Sequence, residues 1–302
     1  MTGSPSGVLI LNKPAGMTSH DVVNKVRKLY GTRQVGHTGT LDPMATGVLV
    51  VLVGRAVKAS EYVVADDKEY VAGLKLGITT DTEDTTGKIL SKHDGEYPDF
   101  RIVSETVKRF TGCIEQIPPM YSAIKIDGKK LVDLARKGLE TERRPRPVNV
   151  YRAELIPTDS DRDYFLAVKV SKGTYMRTLC ADMGKALGVG GVMSSLVRTC
   201  QGNFGIEEAL SLADIENMSE ENRIKALRPV DILFSDCGSV VLTDFFASLA
   251  KNGCQIYQKK TGTSFASGEL VKLCDENGFF ALGQVTEYPD GSAIKPVKQL
   301  RL

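Results

Sequence analysis

Gly36-His37-Thr38-Gly39-Thr40-Leu41-Asp42-Pro43-Met44-Ala45-Thr46-Gly47 runs directly into Val48-Leu49-Val50-Val51-Leu52-Val53-Gly54. The two halves obey different rules. From Gly36 to Pro43 the chain is too rich in glycine and proline for a regular helix or strand, and Pro43 drives Asp42 out of the helical region. From Val48 to Val53 every residue is apolar and glycines bound the run, as in a fully buried segment; periodicity alone leaves strand and helix both open. A polar loop carrying one carboxylate is therefore anchored on a core element. Glycines in such a loop permit close approach of a ligand. From the residues alone, an Asx-turn ahead of Pro43 is the plainer reading of Asp42, and a presented reactive carboxylate the alternative.

Working outward, Val8 to Leu11 reads as a short strand, followed by the loop Asn12-Lys13-Pro14-Ala15-Gly16. Ser19 is the expected N-cap of a helix, with Asp21 in its first turn, where the helix dipole favours negative charge. Val22, Val23, Val26, Leu29 and Tyr30 recur at helical spacing, and Gly31 stops them. Glu69 to Leu76 alternates as a strand, with Tyr70, Ala72, Leu74 and Leu76 on one face. Asp81 to Gly87 is a turn-rich connection. Helices are expected from a Ser104 cap to Phe110, over 131–137 with Gly138 closing it, and from Met176 to Leu187. Strands are expected at 148–156, 164–172 and 194–200, with helical turns at 214–217 and 221–227. Beyond 233–238 the chain becomes glycine-rich and strand-like, at 239–242, 269–273, 279–285 and the tail from Lys295 to Leu302. The mixture predicts an α+β protein, without the strand–helix alternation of a doubly wound sheet.

The 302 residues suit about two domains, and 42% hydrophobic with 25% charged residues is an ordinary globular balance. A net charge of +2 is too mild to mark a nucleic-acid binder, so any such claim must rest on local patches. Six cysteines lie far apart without a Cys-x-x-Cys pair, and the three histidines do not cluster. This spacing offers neither a zinc site nor a disulfide framework. The apolar run Gly7 to Leu11 is too short for a signal peptide and Val48 to Val53 too short for a membrane span, so the expected location is the cytoplasm, away from membranes.

The stretch from Gly36 to Leu49 resembles the catalytic motif of the TruB-type tRNA pseudouridine-55 synthases. Further stretches match in the family's order. Leu11-Asn12-Lys13-Pro14-Ala15-Gly16-Met17-Thr18-Ser19 resembles its N-terminal motif, and Lys68-Glu69-Tyr70 its second active-site strand. Pro118-Pro119-Met120-Tyr121-Ser122-Ala123-Ile124-Lys125 resembles its RNA-contacting insertion. Gly173-Thr174-Tyr175-Met176-Arg177-Thr178-Leu179 and Ser195-Leu196-Val197-Arg198-Thr199 resemble its last two motifs. The resemblance covers roughly residues 7 to 235. It implies a central mixed, mainly antiparallel sheet flanked by helices in a catalytic domain over 1–235, with an RNA-contacting insertion near 113–150. More weakly, it implies a small β-rich PUA-like domain over 236–302; a generic small β-barrel is the alternative.

The same resemblance implies site roles. Asp42 would be the catalytic carboxylate and Arg177 the cation that pairs with and orients it, although a purely structural ion pair is the plainer reading of an arginine. Tyr70 would stack on the extracted uracil and assist loss of the C5 proton, where an alternating strand alone suggests a core tyrosine. Tyr175 would stand beside the catalytic pair, and Leu196 would wall the base pocket. His37 would enter the space left by the flipped base, and Lys13 would support the pocket. The implied reaction is an isomerisation needing no metal and no cofactor, in keeping with the lack of a dinucleotide fingerprint or phosphate loop. The implied partner is tRNA, held by its T arm and acceptor end. The chain is expected to act as a monomer without an obligatory protein partner; guide-RNA-dependent relatives often carry basic tails that this sequence lacks. A role purely in RNA binding or folding is the reading from another class.

Between Lys125 and Arg152 stand nine basic residues, among them Lys129 and Lys130, against four acidic ones, a net of +5. A charge run often marks no more than a solvated face, but its position beside the Pro118 to Lys125 motif points to RNA. Changing Lys129 and Lys130 to alanine should weaken tRNA binding and lower the salt slope of log affinity by about one for each lost phosphate contact. An unchanged slope in binding titrations across salt concentrations would refute the assignment.

Overall fold

The computed structural model describes residues 5–300 apart from 64–66, 123, 127, 136 and 140; of Lys125 and Lys130 it describes the backbone alone. Ala123 of the expected insertion motif and Asp127, Arg136 and Glu140 of the charge run therefore lie outside the described residues, as do the side chains of Lys125 and Lys130 and the last two residues of the tail.

One large sheet organises residues 7–211. Its strands are β1 (Gly7–Lys13), β2 (Val35–His37), β3 (Thr46–Val53), β4 (Lys68–Leu76), β5 (Gly112–Gln116), β6 (Arg146–Ile156), β7 (Asp163–Val170), β8 (Gly191–Gln201) and β9 (Leu210–Ser211). In space they run β9-β1-β3-β8-β4-β7-β6-β5, with β2 added on β3 and the pair Phe204–Gly205 on β8. The β1–β9 and β3–β8 pairs are parallel; the other ladders are antiparallel. Helices α1 (Ser19–Leu29), α2 (Phe100–Arg109) and α3 (Met176–Ala186) flank this sheet.

The apolar run is strand β3, buried on both faces. Leu49, Val51 and Val53 pack with α1 residues Val22, Val23 and Val26. Val48, Val50 and Leu52 pack on the opposite side with Phe204, Val230 and Phe234. Burial on both faces explains why the sequence shows no alternation. Along one edge β3 pairs with β1 over residues 47–53. Its other edge is shared, with β2 against residues 51–53 and β8 against residues 46–47. The chain leaves β2 at His37 and re-enters at Thr46, so the Asp42 loop is held where the sheet divides. Gly36 and His37, expected outside any strand, are thus in β2; pairing with β3 supplies the order that their local sequence does not.

Two expected caps are corrected. Thr18, not Ser19, caps α1: its Oγ1 accepts from Asp21 N (3.0 Å), and Asp21 Oδ2 accepts from Thr18 N (2.9 Å). This reciprocal pair is a capping box. Helix α2 begins at Phe100 rather than Ser104, capped by Asp99 Oδ1 accepting from Ile102 N. Val103, Thr106 and Val107 form its buried face, so Ser104 lies in the helix interior. Strand β5 was not expected; it exists through its ladder with β6.

Beyond residue 237 a second sheet forms from β10 (Gly238–Val241), β11 (Ile256–Tyr257), β12 (Leu270–Asp275), β13 (Gly278–Tyr288) and β14 (Gly291–Gln299), in the order β10-β12-β13-β14-β11. It carries a helix the sequence reading missed, α4 (Asp244–Lys251). Ala247 and Ala250 are its buried residues, and Phe246 and Leu249 pack partly buried against the same core. Leu282 and Leu300 of this segment join the core beneath β3.

Gly47 sits where the main sheet leaves no room for a side chain. Its φ is +102°, and a Cβ there would lie 2.2 Å from the Arg198 carbonyl oxygen. A Cβ at Gly36 would meet only Val57 methyls, at 3.8 Å or more. Gly47→Ala should lower unfolding free energy by about 3 kcal/mol or more, whereas Gly36→Ala should stay within about 1 kcal/mol of wild type. Urea titrations of the two variants side by side test the contrast.

Candidate active site

The loop from Thr38 to Ala45 is held by polar groups reaching in from both sides. Lys13, at the end of β1, is fully buried. Its Nζ donates to the carbonyls of Pro14 (2.8 Å), Met17 (2.6 Å) and Pro43 (3.3 Å). Burial lowers the Lys13 pKa below the usual lysine value, and the charge of Asp42 opposes that shift. Ser19, freed from capping, grips Leu41 instead: its Oγ accepts from Leu41 N (2.8 Å) and donates to Leu41 O (3.1 Å). From β8, the fully buried Arg198 donates through Nε to Val48 O (2.6 Å) and through Nη2 to Gly39 O (3.0 Å). Gln201 Nε2 donates to Thr38 Oγ1 at 2.5 Å. Burying a polar group without a hydrogen bond is costly, so these contacts favour one arrangement of the loop.

Asp42 stands in this frame with Arg177, from the first turn of α3. Arg177 Nε lies 2.9 Å from Asp42 Oδ2, and Nη2 donates to Oδ1 at 3.5 Å. The remaining donors meet backbone: Nη1 bonds Thr82 O (3.2 Å) and Nη2 bonds Tyr121 O (2.8 Å). Asp84 Oδ2 lies 4.0 Å from Arg177 Nε. The Arg177 side chain is 7% exposed and that of Asp42 37%. The cation is therefore enclosed while the carboxylate is partly open to the cleft. A fork-shaped contact fixes orientation as well as charge.

Asp42 opens into a cleft of about 740 Å³. Tyr70, Met193, Leu196 and Arg198 line it from the central strands β4 and β8, and Tyr175 and Arg177 from the start of α3. Pro118, Tyr121 and Ile124, from the stretch before the 125–130 hairpin, form another wall. Tyr70 and Arg198 are both buried and line the same cleft. Tyr175 is set by Gln116: Gln116 Oε1 accepts from Tyr175 N (3.0 Å), and Gln116 Nε2 donates to Tyr175 O (3.3 Å). Burial raises the Tyr175 pKa above the usual phenol value. Leu41, Met176, Met193 and Leu196 give the lining apolar surface, and Lys68, Arg146 and Lys172 add basic groups.

Asp42, Tyr70, Tyr175, Arg177 and Leu196 thus meet in one cleft. Lys13 and His37 do not line it. Lys13 lies beneath the loop, and His37 closes β2 opposite Val51, with a buried Nδ1 that has no hydrogen-bond partner. Burial, with Arg198 and His20 nearby, lowers the His37 pKa. Lys129 is exposed, and the backbones of Lys125 and Lys130 pair across a two-stranded hairpin. Gln116 and Arg198 were not singled out from the sequence. Arg198 left a signal: it shares the inward face of its strand with Leu196, where an arginine is out of place. Gln116 left none, because its partners are backbone atoms 59 residues away. Among the described residues no group of three or more His, Cys, Asp or Glu side chains could hold a metal ion. No helix among them is long and apolar enough to cross a membrane.

The family model for the N-terminal domain of TruB family pseudouridylate synthases matches residues 27–176. That for the tRNA pseudouridylate synthase B C-terminal domain matches residues 177–235. The fold is that of a pseudouridylate synthase. The tRNA pseudouridine synthase B of Clostridium tetani is 41% identical over 282 residues, covering 93% of this chain and 96% of its own. That of Caldanaerobacter subterraneus is 44% identical over 295 residues, covering 97% and 98%. Among solved structures, a chain of a Cbf5-Nop10-Gar1 complex superposes with a TM-score of 0.75 at 28% identity, over 98% of this chain and 85% of that one. The chain belongs to the tRNA pseudouridine synthase B family, isomerases that act on uridine in tRNA.

Replacing Lys13 by Met keeps the stem of the side chain but strands three carbonyls without their donor. The variant should lose about 2–4 kcal/mol of stability, read as a lower urea midpoint. An unchanged midpoint would mean that the loop does not depend on the ammonium.

Proposed function

We propose that the chain converts uridine 55, in the T loop of tRNA, to pseudouridine without a cofactor, using Asp42 as the catalytic carboxylate. The observation that carries this reading is the Arg177–Asp42 fork in the wall of an open cleft. The reaction breaks the N1–C1′ glycosidic bond, turns the uracil, joins C5 to C1′, and moves the proton from C5 to a base while N1 regains one. Asp42 supplies the negatively charged oxygen at the glycosidic bond, and Arg177 keeps that oxygen aimed. Tyr70 stacks on the uracil, and its hydroxyl assists departure of the C5 proton. Leu196 walls the pocket, and Tyr175 closes the side next to the ion pair.

A stacked T-loop base must leave its stack to reach Asp42, at a cost of a few kcal/mol that stacking and edge hydrogen bonds repay. In this reading His37 moves into the vacated space, and Lys13 acts through the loop rather than on the substrate. Lys125, Lys129 and Lys130 contact the RNA backbone from the insertion at 113–150. Residues 1–235 form the catalytic domain and 236–302 a PUA-like domain that meets the acceptor end. The enzyme works in the cytoplasm as a monomer, without an obligatory protein partner.

The test incubates the pure protein, without added metal or cofactor, with unmodified tRNA and with an isolated T-arm stem-loop, and maps pseudouridine. Both RNAs should be modified at position 55 alone, and Asp42→Asn should slow single-turnover conversion by more than about 10³-fold. Modification elsewhere refutes the site specificity, and an Asp42→Asn protein of normal speed refutes the mechanism.

A further inference from the structure

Glu83 is the one non-glycine residue among those described with a left-handed backbone, at φ +63°. L-residues adopt this conformation at a cost, and they keep it where the surroundings enforce it, often beside a functional site. The surroundings here are α3. Thr178 Oγ1, itself buried, donates to Glu83 Oε2 at 2.6 Å. The preceding residue, Thr82, offers its carbonyl to Arg177 Nη1, and the following residue, Asp84, brings its carboxylate to 4.0 Å from Arg177 Nε. Asp84 Oδ1 is occupied by Thr82 Oγ1 and by Thr86, so the turn is internally braced as well. The Glu83 carbonyl accepts from Met193 N, joining the turn to the cleft floor. Two neighbouring residues of α3 therefore grip three successive residues of one turn, and the grip lies directly behind the ion pair.

We propose that Glu83 is a positioning residue for the isomerisation: its left-handed backbone and its bond to Thr178 lock the 82–84 turn against α3, and the locked turn aims Arg177 at Asp42. Two consecutive side chains on the helix, one binding the turn and one binding both the turn and Asp42, form a short lever. Release of the Thr178 end lets the Thr82 carbonyl drift, and with it the guanidinium plane. Nothing in this argument has Glu83 touch RNA, so it changes the rate of the chemical step and leaves tRNA binding alone. The inference rests on the reading of Asp42 and Arg177 given above.

The test uses full-length Glu83→Gly, Glu83→Gln, Thr178→Val and the Glu83→Gly/Thr178→Val double variant, with Asp42→Asn alongside. Glycine removes the acceptor while accepting the left-handed backbone freely, so the thermal midpoint should hold or rise. Its single-turnover rate on unmodified tRNA should fall about tenfold, the effect of losing one hydrogen bond to a charged group, with tRNA affinity unchanged. Thr178→Val should fall by the same factor, and the double variant no further, because both changes break one bond. Glu83→Gln keeps an acceptor and should stay within about threefold of wild type. A wild-type rate in Glu83→Gly, an additive double variant, or a Glu83→Gln as slow as Glu83→Gly overturns the proposal. If Glu83→Gly fails to fold, Thr178→Val and Glu83→Gln carry the same decision. An inactive Asp42→Asn with an unaffected Glu83→Gly removes the Glu83 inference alone; an active Asp42→Asn removes both.

Discussion

The fork between Arg177 and Asp42 joins residues 135 positions apart, and the rest of the molecule serves to keep its two halves in register. One half is a glycine-rich loop with little order of its own. It is held by an ammonium below (Lys13), a hydroxyl at one side (Ser19) and a guanidinium behind (Arg198). The other half is the start of α3, seated on β8 and braced by the 82–84 turn. Bonded polar groups inside a protein are stronger and more directional than in water, and unbonded ones are expensive. The loop therefore has one low-energy arrangement, and in it the carboxylate faces the cleft.

Much of this was legible in the sequence, and the reasons for the rest are physical. The alternation of Tyr70, Ala72, Leu74 and Leu76 fixed both a strand and its buried face, because half-buried strands carry that imprint. The Val48 to Val53 run fixed burial but not geometry, since a strand covered on both sides and a buried helix look alike until their neighbours are known. The α1 cap was misplaced by one residue although the Thr18–Asp21 capping box was present in the sequence. Ser19 was the competing candidate, and its actual partner, Leu41, is distant in sequence. Of the cleft, the ordered motifs marked Asp42, Tyr70, Tyr175, Arg177 and Leu196, which line it, and Lys13 and His37, which do not. Gln116 and Glu83 escaped because their significance lies in contacts with backbone and side chains far along the chain, visible only after folding.

Strand β3 links the two sides of the protein. One face packs on α1; the other packs on a core to which the second sheet contributes Leu282 and Leu300. Phe234, just before the second sheet, packs against Phe279 within it at a ring-centroid distance of 5.9 Å. Tyr62 donates to Val297 O, and Lys298 pairs with Glu61 across the same boundary. Each fully buried leucine contributes roughly 2 kcal/mol.

That shared core makes the C-terminal segment a structural buttress rather than a detachable bead. Cutting the chain after residue 237 would remove Leu282 and Leu300 from the core that they share with Val48, Val50 and Leu52, in the strand that follows the Asp42 loop. A shortened enzyme would then lose activity even on a minimal RNA that never reaches the second sheet. Exchange of this module between relatives would succeed only where the leucines beneath β3 travel with it.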